Sequence, residues 1–207
     1  MPSIRTERDI QILLLIDSFR FVMGRHVCDL FFFGSRTYEK RLKRLLDEGF
    51  IKKERPVFGL PYLYTLTHKG RMLIGVNKAA LSIRLDHIRH DMIVLDMLVV
   101  LVRERKLALS SIVSERNLHQ EAGFGNRKHM PDFIFQDGDG WSCVEVELNK
   151  KSNHRLEENV RKNFQNYRFQ YWVIPKNKRG IEQQLRTAAH VYPHLHILYI
   201  EDVVKHD

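Results

Sequence analysis

The sequence predicts an α/β chain of the α+β kind in two domains. A small, mostly helical domain with a hairpin covers residues 1–80, and a mixed sheet flanked by helices covers 81–207. Three observations carry this expectation. Apolar residues recur first at helical spacing and then in strands that alternate with helices. Hydrophobic residues make up 43% of the 207, enough for one or two ordinary cores. The net charge of +9 is unevenly placed, with 15 Lys and Arg against 8 acids up to residue 80 and 19 against 17 beyond it. A basic excess confined to the first part directs a polyanionic partner there. No apolar run is long enough to span a bilayer, and Met1-Pro2-Ser3-Ile4-Arg5 offers no apolar signal core, so the expected location is the cytoplasm with no membrane partner. Cys28 and Cys143 read as buried thiols, too few for a zinc cluster or a disulfide framework.

Ile10, Leu13, Leu14, Ile16 and Phe19 mark a first helix over Glu7 to Val22, with Thr6 as its N-cap. Val27 to Phe32 makes a short second helix after Gly24. Gly34-Ser35 resets the chain for a third, over 35–48, with Tyr38, Leu42, Leu45 and Leu46 on one face and Arg36, Lys40, Arg41, Lys43 and Arg44 around the rest. Phe50 to Arg55 and Tyr62 to Leu66 read as two strands around the Pro56–Pro61 turn, and Thr67 caps a return helix. This order describes a winged helix-turn-helix whose third helix is the recognition helix. Arg36, Lys40, Arg41, Lys43 and Arg44, joined by Lys52 and Lys53 on the wing, are then the expected contacts to double-stranded DNA. A basic helix used only for protein contact is the plainer reading.

Asn77 to Arg84 leads into a long helix with Ile88, Met92, Leu95, Val99 and Val102 on a stripe, and Asp91 stands beside His87 and His90 on another face. Leu107 to Val113 predicts a strand and Gln120 to Met130 a loop ending in Arg127, Lys128 and His129. Asp132 to Phe135 and Trp141 to Leu148 predict a hairpin turning at Asp137-Gly138-Asp139-Gly140. By the period of two, Glu145, Glu147 and Asn149 share one face, Val144, Val146 and Leu148 the other, and Lys151 continues the Glu face if the strand lasts that long. An amphipathic helix over Asn153 to Gln170 carries Leu156, Val160, Phe164 and Tyr167 on its stripe. Tyr171 to Pro175 then reads as a buried strand, Gly180 to His190 as a helix and Leu195 to Ile200 as the last strand.

Carboxylates inside an apolar strand are costly unless a cation is supplied. Asp132, Glu145 and Glu147, converging from two neighbouring strands, are therefore the expected ligands of Mg²⁺ or Mn²⁺, which would activate water against a phosphodiester. An edge strand turning a polar face to water is the competing explanation.

Pro131-Asp132 followed by Glu145-Val146-Glu147 resembles the PD-(D/E)xK nuclease signature, with Asp132 and Glu145 as metal ligands and Glu147 where Lys is usual. The resemblance implies a restriction-endonuclease-like sheet and leaves Glu147 or Lys151 to position or deprotonate the water; an acid from the first helix of such domains would correspond to Asp91. The basic winged helix, the His-Asp helix, the loop into Pro-Asp and Glu-Val-Glu-Leu followed by Lys150-Lys151-Ser152 together resemble the replication-relaxation family, which includes MobC-type plasmid relaxases. That likeness implies a plasmid or mobile-element protein that nicks or relaxes origin DNA by metal-dependent hydrolysis in replication or conjugative mobilisation. Relaxosome or replication proteins would be its partners, and a homodimer is compatible with the role. The alternative is a non-catalytic DNA-binding regulator or mobilisation accessory with a vestigial nuclease domain. A rival reading takes His194-Leu195-His196 as a metal-binding triplet serving a nucleophilic tyrosine among Tyr167, Tyr171, Tyr192 and Tyr199, although no third His is evident nearby.

Overall fold

The computed structural model describes residues 6–76, 82–123 and 128–204. It is a mixed α/β protein whose contacts divide into two units, 1–95 and 96–207. Of the expected run from Asn77 to Arg84, 77–81 fall outside the described residues, as does Arg127, and 82–87 are not helical, so the long helix begins only at Ile88.

The first unit opens with α1 (Glu7–Phe19), capped by a reciprocal pair of hydrogen bonds between Thr6 and Asp9. α1 stops three residues before the expected Val22, because Arg20 takes φ 69 and Val22–Met23 leave the helix as β1. α2 (Gly24–Phe31) and α3 (Thr37–Asp47) follow, then β2 (Ile51–Glu54), β3 (Leu63–Leu66) and α4 (His68–Leu73). β3 lies between its two antiparallel partners in the order β1-β3-β2, so the hairpin is part of a three-stranded sheet rather than the two-stranded one expected. Ile12, Leu13, Ile16, Phe21, Val27, Leu42, Leu45 and Phe50 form the core beneath it.

Gly70 fixes the approach of α4. A Cβ there would overlap the carbonyl oxygen of Phe50, an oxygen already accepting from the backbone N–H and the hydroxyl of Thr67. Backbone cannot yield as a side-chain tip can, so Gly70→Ala is expected to cost about 3 kcal/mol, read as a fall in urea midpoint at unchanged slope.

α5 (Ile88–Arg105) carries the division between the units, and from Ile93 to Leu101 its apolar side chains are buried on nearly every side rather than along one stripe. The predicted strand over Leu107 to Val113 is mostly a 3₁₀ turn (Leu109–Ser111), and only Ile112–Ser114 pair, as β4. Ser114 then accepts from Asn117 N–H and starts α6 (Glu115–Glu121), a helix that the sequence pattern does not predict.

β5 (Phe133–Asp137) and β6 (Gly140–Val146) form the expected hairpin, with Asp137 opposite Gly140 and Gly138 at φ 65 in the turn. After β6 the chain runs through α7 (Asn153–Asn166), β7 (Gln170–Ile174), α8 (Arg179–Val191), β8 (Leu195–Tyr199) and α9 (Ile200–Val203). The sheet is mixed, in the order β4-β5-β6-β7-β8: antiparallel up to β6, parallel from β6 to β8 across the two helical crossovers. β6 is the central strand, not an edge. Leu156 and Val160 of α7, Ile181 and Leu185 of α8, and Trp172 and Ile174 of β7 pack together over one face.

Candidate functional site

Each half of the site owes its position to the sheet. Asp132 N–H donates to the carbonyl of Val144, which brings the residue alongside the end of β6. Its Oδ2 then accepts from Val146 N–H at 2.6 Å. Glu145 is paired with Trp172 across the parallel ladder and, by alternation, faces α7. Only 4% of Glu145 is exposed. Its Oε1 receives Asn163 Nδ2 from α7 at 2.9 Å and lies 2.5 Å from His129 Nε2.

Burial raises the Glu145 carboxyl above its ordinary value. The His129 contact pulls it back down, the charge of Asp132 pushes it up and the Asn163 amide lowers it. Asp132 is thus near enough for its charge to act on Glu145. The thiol of Cys143, buried two residues earlier on the same face, is pushed well up by burial and then by Glu145 and Asp132.

The raised carboxyl has a consequence for stability. A folded pKa above the unfolded one favours the neutral acid in the fold, so that contribution is whole below the ordinary Glu range and is lost as pH rises through the raised value. In metal-free protein, wild type and Glu145→Gln should have similar urea midpoints below the ordinary Glu range, with wild type falling behind as pH rises through the raised value. Parallel curves would contradict the raised value.

Glu147 lies two residues on, 5% exposed, with its N–H bonded to the carbonyl of Val173. β6 has ended by then, and Lys151 does not continue a strand face; it returns through the loop to put Nζ 2.5 Å from Glu147 Oε2. The three predicted carboxylates therefore sort into an Asp132–Glu145 pair and a Glu147–Lys151 ion pair. Among the described residues, no group of three or more His, Cys, Asp or Glu side chains is arranged to hold a metal ion.

Asp91, in the first unit, contacts Arg20 Nη1 at 3.1 Å and His90 Nδ1 at 3.2 Å, which ties it to the end of α1. The helical-wheel stripe of α7 is turned from the one expected: Asn159 and Asn163 are buried with Leu156 and Val160, while Phe164 is half exposed against Tyr192. Sequence reasoning missed both asparagines and the place of His129. Asn159 and Asn163 are one turn apart, and the Nδ2 of Asn159 is buried without a hydrogen-bond partner among the described residues. Polar residues at i and i+4 within an otherwise apolar stripe were the available signal.

The His194-Leu195-His196 triplet belongs to an aromatic ladder, with His196 stacked on Tyr171 at 5.0 Å and both imidazoles against Phe169. Burial, then Arg105 and His194, lower the His196 pKa. Tyr167 is pushed up to about 12 by burial and by Cys143 and Glu145, which disfavours a phenolate there.

The predicted cations of α3 fall into two groups. Arg41 Nη1 and Arg44 Nη2 lie 3.2 and 3.9 Å from Asp9 Oδ2, an acid only 1% exposed, and Arg44 also pairs with Glu48. Lys43 pairs with Asp47, and Lys52 with Glu54. Arg36 and Lys40 are exposed and make no ion pair among the described residues, while Lys53 sits over the ring of Tyr62. Also among the described residues, no helix is long and apolar enough to cross a membrane.

Comparison of the chain with protein-family models, with curated proteins and with solved structures finds no match.

Proposed function

We propose that the chain is a DNA-binding protein that hydrolyses phosphodiester bonds with the help of a divalent cation, acting on duplex DNA as a nickase. The observation that carries this reading is the Asp132–Glu145 pair: two acids brought together at the central strand of a mixed sheet, one of them almost wholly buried. Two like charges set this close are unfavourable, and a cation would relieve them.

The donor set fits a hard ion. Carboxylate oxygens suit Mg²⁺ and Mn²⁺, and Mg²⁺ is commonly held by only one or two carboxylates, with water and substrate phosphate completing the shell. Asp132 and Glu145 would hold it. When bound, such an ion lowers the pKa of water and neutralises charge on the phosphate. The chain's own residues have definable parts in this. Val146 N–H anchors Asp132, and Asn163 anchors Glu145. Lys151, a quarter exposed and paired with Glu147, would orient a phosphate or, with Glu147, a water.

In the first unit, the order α1, β1, α2, α3, β2, β3 supports a winged helix-turn-helix reading, with α3 in the major groove and Arg36 and Lys40 available to meet phosphates. Origin binding in replication or mobilisation, with relaxosome or replication proteins as partners, is the role this reading suggests. A second reading, a DNA-binding accessory without activity, draws support from Lys151 and His129 already occupying the two glutamates. Relaxation of supercoiled plasmid with Mg²⁺ or Mn²⁺, against an EDTA control, separates the two.

A further inference from the structure

The tip of the β2–β3 hairpin gathers several exposed apolar side chains on one turn, whereas the other exposed apolar residues of the first unit, such as Phe33, stand singly in the sequence. Residues 55–62 join the strands. Within them, Leu60 N–H donates to the Val57 carbonyl at 3.3 Å and Gly59 takes φ 84, a tight turn that leaves Phe58 at its outer corner. Phe58 is 97% exposed, and Val57 and Tyr62 are each about two-fifths exposed. A side chain left in water contributes no burial to folding, so packing gives no reason for a phenyl ring here. Single exposed apolar residues are ordinary; three within six residues on one projecting turn form a patch.

Its rim is basic. Lys53 Nζ lies 4.0 Å and Arg55 Cζ 4.2 Å from the centre of the Tyr62 ring, and neither cation has an acidic partner among the described residues. An exposed phenyl ring on a turn whose flanking residues Lys53 and Arg55 pack on Tyr62 matches a duplex, whose phosphates flank a stacked apolar interior. Proteins that deform DNA insert such side chains between base steps while Lys and Arg hold the backbone.

We propose that this tip is a wedge: Phe58 enters the base stack from the minor groove, Lys53 and Arg55 grip the flanking phosphates, and the duplex is unstacked and bent at that step. The inference rests on the DNA-binding reading above, adding to it deformation of the DNA and a preference for steps that unstack easily, such as TA.

Full-length protein is titrated onto a duplex of about 30 base pairs, carrying 2-aminopurine beside a central TA step and a fluorophore at each end. Wild type should raise 2-aminopurine emission and shorten the end-to-end distance. Phe58→Ala should lose both effects and bind about tenfold more weakly, whereas Phe58→Leu, still a wedge, should keep them. Binding by wild type without unstacking, or Phe58→Ala behaving as wild type, overturns the wedge and leaves the DNA-binding reading intact; no duplex binding at all overturns both. Phe58-dependent co-sedimentation with phosphatidylserine vesicles, with Phe58→Ala leaving the DNA signals unchanged, would assign the tip to a membrane surface instead.

Discussion

Asp132→Ala and Glu145→Gln should each reduce metal-dependent nicking of supercoiled plasmid by at least about a thousandfold while leaving duplex affinity within about twofold. Each change removes one half of the carboxylate pair, and half a pair neither binds the ion nor balances the charge developing on the phosphate. Glu145→Gln is the more informative variant, because the amide keeps the size of the side chain and an oxygen for Asn163 to meet, so the fold survives. Asp132→Ala removes the carboxylate that accepts from Val146 N–H at the end of β6, and its folded state should be checked by circular dichroism. Lys151→Ala should show an intermediate loss, on the order of ten- to a hundredfold. Nicking at wild-type rates by both carboxylate variants would remove the enzyme reading and leave the accessory one.

The second large effect concerns α3. Replacing Arg36 and Lys40 together by Ala should weaken duplex binding at least tenfold and lower the slope of log affinity against log salt by about 2, close to one for each phosphate left without its cation. These two are the cleaner probes because neither has an ion-pair partner among the described residues. Arg41→Ala is different in kind: it withdraws a partner from the buried Asp9 and should cost ~2 kcal/mol of stability whatever it does to DNA. A salt slope unchanged in the Arg36/Lys40 double variant would disconnect α3 from the phosphate backbone.

Much of the architecture was legible because burial and periodicity coincide. Val144 and Val146 alternate with Glu145, and the strand lies where that pattern places it, although it ends at Val146 rather than at the expected Leu148. Thr6 and Thr67 cap the helices they precede. Legibility failed where polar groups are buried by partners distant in sequence. A period reading treats Asn159 and Asn163 as solvent-facing and so turns α7 towards Phe164; Glu145, eighteen residues before Asn163, holds the helix in its actual setting. The burial of Asp9 could not be read from the α1 segment, because its counter-ions Arg41 and Arg44 arrive only with α3. α6 was hidden because Glu115 to Glu121 carries little apolar signal, and β1 because two residues are too few for a period.

The candidate site was legible as residue types and only partly as geometry. The hairpin register followed from the Asp-Gly-Asp-Gly turn, and with it the place of Asp132 beside the end of β6. The partition of the acids into two pairs did not, since it depends on the strand ending at Val146 and on Lys151 folding back.

Binding of Mn²⁺ to the full-length protein, followed by the fall of the free-ion electron paramagnetic resonance signal, tests the carboxylate pair without relying on turnover. Wild type should bind one or two ions per chain in a saturable manner, and Asp132→Ala and Glu145→Gln should abolish that binding. Retention of the same stoichiometry and affinity by both variants would contradict the assignment of Asp132 and Glu145 as the cation site.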